Sequence, residues 1–105
     1  MVPSSFTVAN GEAIIAQASE WRVPTIYSFP EFVRTGGLIS YGVDLSYLWS
    51  RAASYVDRIL NGHKAGELPV QAPSKFQLTV NVRTAAALGL TIPPSLLARA
   101  DEVIE

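Results

Sequence analysis

The chain has 105 residues, of which 49% are hydrophobic and 16% charged, so it has enough apolar material for one folded domain or part of a larger one. The formal net charge of −1 excludes the clustered positive charge that binds nucleic acids or anionic membranes, and we expect neither partner. There is no cysteine, which excludes disulfides and thiolate metal sites.

The beginning of the sequence lacks the basic start and the long apolar run of an export signal. No apolar run elsewhere in the chain reaches the length of a membrane span. We therefore expect no signal peptide in this chain and no membrane insertion.

Strand-like and helix-like patterns alternate in the first 41 residues. A helix over residues 12–21 is predicted by apolar residues at helical spacing, namely Ile14, Ile15, Ala18 and Trp21. Around it, the sequence predicts a short strand at 6–9, a turn at Asn10 and Gly11, a strand at 25–27, a loop with one helical turn at 28–33 and a strand at 38–41.

The clearest pattern is a long amphipathic helix over residues 45–60. Its apolar residues recur three or four apart and form one stripe: Leu45, Leu48, Trp49, Ala52, Val56, Ile59 and Leu60. Asp44 is placed to cap the start of this helix, and Gly62 to end it in a left-handed turn.

Prolines make the next segment, residues 68–73, extended and stiff. A strand with one solvent-facing side is predicted at 76–80, then a short helix capped by Asn81, a last helical turn at 93–97 and a charged tail. Strands that alternate with helices indicate an α/β fold: a partial, doubly wound sheet of three to four short, mostly parallel strands with flanking helices.

The sequence offers no chemistry for catalysis. His63 is the only histidine and lies in a polar turn, and the carboxylates are scattered without a pair at a spacing suited to acid–base work. We therefore expect no enzyme, no metal site and no cofactor.

Five blocks of sequence carry a resemblance to a known family: EFVRTGGLISYGVD (31–44), YVDRILNG (55–62), LPV (68–70), PSKF (73–76) and TAAALGLTIPPSLLARADEVI (84–104). Their order and spacing resemble the C-terminal end of bacterial ABC-transporter substrate-binding proteins of the tryptophan/tyrosine-uptake-like type. The resemblance runs from about residue 6 to the C-terminus. A full member of that family is about three times longer.

The resemblance implies the fold of a type I periplasmic binding protein, in which two lobes joined by crossover strands clasp a solute. This chain would be a fragment of it. Residues 6–40 would lie in the C-terminal lobe, 41–67 would cross over and place a helix on the N-terminal lobe, 68–97 would return, and 98–105 would form a tail. The intact protein would bind a small solute such as an amino acid outside the cytoplasm, in the periplasm where there is one, and serve an ABC permease.

Five residues at strand ends and helix starts are candidates for ligand contact: Asn10, Phe29, Glu31, Tyr41 and Asp44. Each of the polar ones has a structural alternative, because Asn10 suits a turn, Glu31 a first helical turn and Asp44 a helix cap. Tyr41 could equally pack at the edge of the core. The two tryptophans lie on apolar stripes, and we predict that both are core residues.

The resemblance leaves the long helix without the sheet on which its stripe would pack. Either the helix folds back on the strands of this chain, or a second copy covers the stripe. We expect a homodimer through Leu45–Leu60. The alternative function is accordingly a self-associating α/β assembly or regulatory module with no ligand of its own.

Overall fold

A computed structural model describes residues 1–105 and contains six α-helices, one 3-10 turn and four β-strands. The elements are α1 (Ser5–Ala9), α2 (Gly11–Glu20), β1 (Ile26–Tyr27), α3 (Pro30–Arg34), β2 (Ile39–Val43), α4 (Leu45–Leu60), the 3-10 turn (Ala65–Glu67), β3 (Phe76–Asn81), α5 (Val82–Ala87), α6 (Pro94–Arg99) and β4 (Glu102–Ile104). Two compact units result: the sheet unit (Met1–Gly42 and Gln77–Glu105) and the helix unit (Val43–Phe76).

The four strands form one sheet in the order β1-β2-β3-β4. β1 is parallel to β2, and β3 is parallel to β4. Backbone bonds from Asn81 to Leu38 and from Asp44 to Lys75 show that β2 and β3 run antiparallel, because residue numbers rise along one strand as they fall along the other. The predicted α/β fold with a mostly parallel sheet is confirmed.

The core of the sheet unit lies around α3. Val33 is completely buried, and the ring of Phe32 stacks on that of Tyr27 at a centroid distance of 5.6 Å. Ile15 of α2 completes this cluster. Gly11 begins α2 where a side chain would overlap the Phe32 ring, so α2 and α3 pack at a distance that only glycine permits.

Asn81 joins three segments of the sheet unit. Its side-chain amide donates to the carbonyl of Val33 at 3.1 Å, and its backbone N–H donates to the carbonyl of Leu38 at 2.9 Å. Its side-chain oxygen accepts from the backbone N–H of Thr84 at 3.0 Å, which caps α5 as the sequence predicts. Both the amide nitrogen and the oxygen of this buried side chain are thereby hydrogen-bonded.

The predicted strand at residues 6–9 is wrong, because these residues form α1. A capping box explains the helix. The hydroxyl of Ser4 accepts from the N–H of Thr7 at 3.1 Å, and the hydroxyl of Thr7 accepts from the N–H of Ser4 at 2.9 Å. These local bonds outweigh the β preference of the alternating Phe-Thr-Val sequence.

Two further predictions fail at the C-terminal end of the sheet. The solvent-facing side expected for 76–80 is absent at Thr79 and Val80, which are both buried because β3 lies between β2 and β4. Residues 98–105, expected as a tail, include the end of α6 and the whole of β4.

The helix unit contains the predicted long helix with the predicted ends. Asp44 caps α4, and Gly62 follows it with a φ of 100°, which glycine adopts without strain. All seven stripe residues are exposed. Trp49 of the stripe is 71% exposed and Trp21 is 73% exposed, so the prediction that both tryptophans are core residues is wrong.

No helix combines the length and apolarity needed to cross a membrane.

Candidate functional site

The carboxyl ends of β1 and β2 lie at the same edge of the sheet, because the two strands are parallel with Ile26 opposite Ile39 and Tyr27 opposite Ser40. Open α/β sheets bind ligands at such edges. Phe29 follows β1, and Tyr41 lies within β2. The parallel pairing therefore brings two of the predicted residues to strands that are neighbours.

Phe29 packs more than the sequence indicates. Its ring lies 6.3 Å from that of Phe32, and it contacts the buried cluster around Val33 from a half-buried position. It also occupies the residue before Pro30, where its extended backbone begins α3. Phe29 thus packs α3 against the sheet near the carboxyl end of β1.

Tyr41 is 55% exposed, in contrast to its neighbour Ser40, which is buried. The alternation follows from the strand, since successive side chains point to opposite faces. Asn10 is exposed at the junction of α1 and α2, where its side-chain amide donates to the carbonyl of Phe6 at 2.9 Å. Asn10 is thus the C-cap of α1, and the side chain of Asn10 does not cap α2.

Glu31 lies in the first turn of α3 and accepts from Arg34 at 3.1 Å. Arg34 also forms a two-pronged contact with Glu102, through Nε at 3.2 Å and Nη2 at 2.7 Å. The hydrogen bonds from Arg34 hold the pKa of Glu102 below its usual value of 4.5. The same contact raises the pKa of Arg34. Glu31 therefore belongs to an ion-pair network that ties α3 to β4.

This network makes stability depend on pH. A carboxyl whose folded pKa is lowered contributes stability above its unfolded pKa, and the contribution is lost as the pH falls from about 4.5 through the folded pKa. Because both side chains are partly exposed, we expect under about 1 kcal/mol, reduced further by salt. Urea unfolding between pH 7 and pH 3 should show a smaller acid loss for Glu102→Gln than for the unchanged chain. The matched control is Glu20→Gln, and an equal reduction in that variant would contradict the prediction.

Asp44 caps α4 in the helix unit. Its Oδ1 accepts from the N–H of Tyr47 at 3.2 Å, its Oδ2 lies 3.6 Å from Nζ of Lys75, and its N–H donates to the carbonyl of Lys75 at 3.0 Å. The side chain keeps 20% of its surface exposed. The carboxylate is thus engaged twice within its own unit.

We expect Asp44→Ala to lower the free energy of unfolding by about 1 kcal/mol, because the N–H of Tyr47 loses its acceptor. Asp44→Asn should stay within a few tenths of a kcal/mol, because asparagine caps about as well as aspartate. Chemical denaturation of the two variants measures the difference. Equal losses would show that the negative charge beside Lys75, and not the cap, stabilises this unit.

A groove that the sequence does not predict lies between α4 and the strap (residues 68–75). Its cavity measures about 220 Å³ and is lined by Tyr47, Leu48, Arg51, Ala52, Tyr55, Gln71, Ala72, Pro73 and Ser74. Spacing could have found one wall, because Tyr47, Arg51 and Tyr55 are each four residues apart and share a helix face. The hydrogen bond with Ser74 lowers the pKa of Tyr47 most, and the charge of Arg51 lowers it further.

No cluster of histidine and carboxylate side chains in the chain could hold a metal ion.

The similarity of this chain to known proteins identifies its family. The family model described as ABC transporter substrate binding protein matches residues 1–104. A curated relative, the tyrosine-binding protein of Clostridioides difficile strain R20291, is 27% identical over 90 residues. Those residues make up 85% of this chain and 26% of the relative. The chain therefore spans about a quarter of the length of that relative.

Solved structures share the fold. A conserved domain protein from Vibrio cholerae matches with a TM-score of 0.83 and 32% identity, over 92% of this chain and 33% of the other. A domain from Streptococcus pneumonia, solved in complex with L-Trp, matches with a TM-score of 0.82 and 28% identity, over 93% of this chain and 34% of the other. A ligand-free, open substrate binding protein from Clostridium difficile shares the fold alone, with a TM-score of 0.64 and 20% identity over 96% of this chain and 34% of the other.

Proposed function

Because this chain belongs to the ABC transporter substrate binding protein family, we propose that it is the C-terminal part of the solute-binding component of an ABC importer. The family consists of binding components of transport systems, so the prediction that the chain is not an enzyme is confirmed. Proteins of the family act outside the cytoplasm, bind small solutes and deliver them to permeases. We extend extracytoplasmic binding and delivery to the intact protein as part of the proposal.

The solute that we propose is an amino acid with an aromatic side chain. The observation that carries this proposal is the similarity to the domain in complex with L-Trp over 93% of this chain. The tyrosine-binding relative supports the same chemical class. A solute of this class presents an ammonium, a carboxylate and a flat ring, and its site needs a polar group for each charge and an apolar wall for the ring.

We propose that residues 6–40 and 68–97 belong to one lobe and that 41–67 cross to another lobe. The boundary between the sheet unit and the helix unit after residue 42 supports the first crossing. The second boundary falls after residue 76, so the helix unit includes residues 68–76. The exposed stripe of α4 supports it as well, because an apolar helix face in an intact protein is normally covered. Under this proposal the missing lobe covers the stripe.

Within that arrangement, Tyr41 is the proposed ring contact and Asp44 the proposed partner of the solute ammonium, while Asn10 supplies an amide. Tyr41 is supported by its exposure, and Asp44 by the exposed fraction that its carboxylate keeps. Phe29, which packs on Phe32, and Glu31, which pairs with Arg34, are proposed as neighbours of the solute.

Calorimetric titration tests the solute. We expect heat of binding for L-Trp or L-Tyr, and less for L-Leu, in a polypeptide that contains both lobes. Asp44→Asn should weaken binding there at least about tenfold while leaving stability unchanged, because it keeps the cap and removes the charge. Glu20→Gln, remote from the candidate residues, is the control. If the two-lobe protein shows no heat of binding with any of the three amino acids, the proposal is overturned.

A second candidate function is self-association, and the exposed stripe favours it. Full burial of a large apolar side chain contributes about 1.5–3 kcal/mol, and six of the seven exposed stripe residues are large, so the stripe favours a partner strongly. We propose that the 105-residue chain on its own forms a homodimer through α4. Light scattering at micromolar concentration should give twice the mass of one chain, and the mass of a single chain would contradict this.

A further inference from the structure

The two charges of the proposed solute need different partners. Asp44 is proposed above for the ammonium, but none of the other four candidate residues is a cation. A carboxylate is bound most strongly by a group that is both positively charged and a hydrogen-bond donor. A binding site for the whole solute therefore requires a lysine or an arginine close to Asp44.

Lys75, the last residue of the strap, lies opposite Asp44 within the helix unit. Asp44 follows β2 and Lys75 precedes β3, and the N–H of Asp44 donates to the carbonyl of Lys75 at 3.0 Å. The same register places Asn81 opposite Leu38 further along the two strands. Side chains of opposite residues in an antiparallel pair lie on the same face. Two backbone segments thus hold a carboxylate and an ammonium side by side.

The two charged groups are close to each other, but no hydrogen bond joins them. Nζ of Lys75 lies 3.6 Å from Oδ2 of Asp44, which is longer than a hydrogen bond. This contact therefore leaves the ammonium its donors and Oδ2 its lone pairs, while Oδ1 accepts from the N–H of Tyr47. The Lys75 side chain is 62% exposed, so a solute can reach it. The pair is thus open to both charges of a zwitterion.

Arg51 is another cation near this pair, but its position suits the solute less well. Its guanidinium lies 5.8 Å from the centroid of the Tyr47 ring and donates to the hydroxyl of Tyr47 at 3.3 Å. The ammonium and the carboxylate of an α-amino acid are attached to one carbon atom, so their partners must be adjacent. The ion pairs of the chain join Lys75, and not Arg51, to Asp44.

We propose that Lys75 binds the carboxylate of the solute and forms, with Asp44, the recognition site for its α-amino-acid group. The inference rests on the amino-acid binding proposed above and names the residue that binds the carboxylate. On binding, the solute ammonium approaches Oδ2 of Asp44 and the solute carboxylate approaches Nζ of Lys75, so each charge gains an opposite partner. Because this pair recognises the group that all amino acids share, it selects for the class and not for the ring.

Calorimetric titration of the two-lobe polypeptide with L-Trp and with tryptamine, which lacks the carboxylate, tests the role of Lys75. Lys75→Gln should weaken the binding of L-Trp at least about tenfold, because the solute carboxylate loses its charged partner, and should not weaken that of tryptamine. Lys75→Arg keeps the charge and should bind L-Trp within about threefold of the unchanged protein. Circular dichroism checks that each variant is folded.

Lys64→Gln is the matched control, because it removes the same charge from a lysine beyond the opposite end of α4. Sixteen residues of helix separate that end from Asp44, which is about 24 Å at a rise of about 1.5 Å per residue. We expect Lys64→Gln to change the binding of L-Trp less than about twofold, because a charge at that distance is screened by salt.

The outcomes separate the role of Lys75 from amino-acid binding itself. If Lys75→Gln leaves the binding of L-Trp unchanged, or weakens L-Trp and tryptamine equally, the inference is overturned while the proposed function stands. A tenfold loss of L-Trp binding in Arg51→Gln, with none in Lys75→Gln, assigns the carboxylate to Arg51 and overturns the inference as well. If the unchanged two-lobe protein binds none of the amino acids, the inference and the proposed function are both overturned.

Discussion

Phe32→Ala should lower the free energy of unfolding by about 3–5 kcal/mol, the largest loss that we expect from a single substitution. The ring is buried, stacks on Tyr27 at 5.6 Å and lies 6.3 Å from Phe29. Its removal takes away these contacts and leaves a cavity between α2, α3 and the sheet, which a backbone fixed by strands fills only in part. Urea denaturation followed by circular dichroism measures the loss.

Phe6→Ala is the matched control, because it deletes the same atoms from a residue that is 72% exposed in α1. We expect that variant to stay within about 0.5 kcal/mol of the unchanged chain. Similar losses at the two positions would show that the cluster around Phe32 is not the core of the sheet unit. A loss confined to Phe32 would also explain why α2 begins with glycine, since the ring fills the space of a side chain at Gly11.

Gly42→Ala is expected to cost about 3 kcal/mol, for a different reason. A Cβ at this position would overlap the carbonyl oxygen of Ser28, a backbone atom just after β1, and β1 pairs with β2, the strand that contains Gly42. A flexible side chain could move away, but a carbonyl between paired strands moves only if the strands separate. The measurement is again the free energy of unfolding, with the amide exchange of β1 and β2 as a local readout.

Gly66→Ala controls for the general effect of adding a methyl group to glycine. No atom lies within 4 Å of the position of its Cβ, so we expect a change within about 0.5 kcal/mol. If Gly42→Ala proves equally mild, the close approach of Ser28 and Gly42 is relieved at little cost. In that case the backbone around Ser28, just after β1, moves more easily than the close packing indicates.

Local signals in the sequence predict the helix unit well. α4 begins and ends at the expected residues because its stripe, its aspartate cap and its terminal glycine all act within a few residues. The sheet unit depends on distant partners and is predicted less well. β4 is a strand because it pairs with β3 more than 20 residues away, and nothing in its charged sequence indicates that pairing.

The candidate site divides in the same way. The cap formed by Asp44 follows from its place before an apolar helix, whereas the burial of Phe29 depends on Phe32 and on a core built from several elements. The ion pair between Arg34 and Glu102 joins residues 68 apart, so no spacing could indicate it. The strap is an intermediate case, since its two prolines are visible in the sequence but its bonds to Tyr55 and Asp44 are not.

The hydrogen bonds of Asn81 also bear on biosynthesis. Because Val33 and Leu38 receive their bonds from a residue that the ribosome adds more than 40 steps later, the early strands wait in an unfinished sheet. A chain that ends before residue 81 should therefore lack the finished sheet.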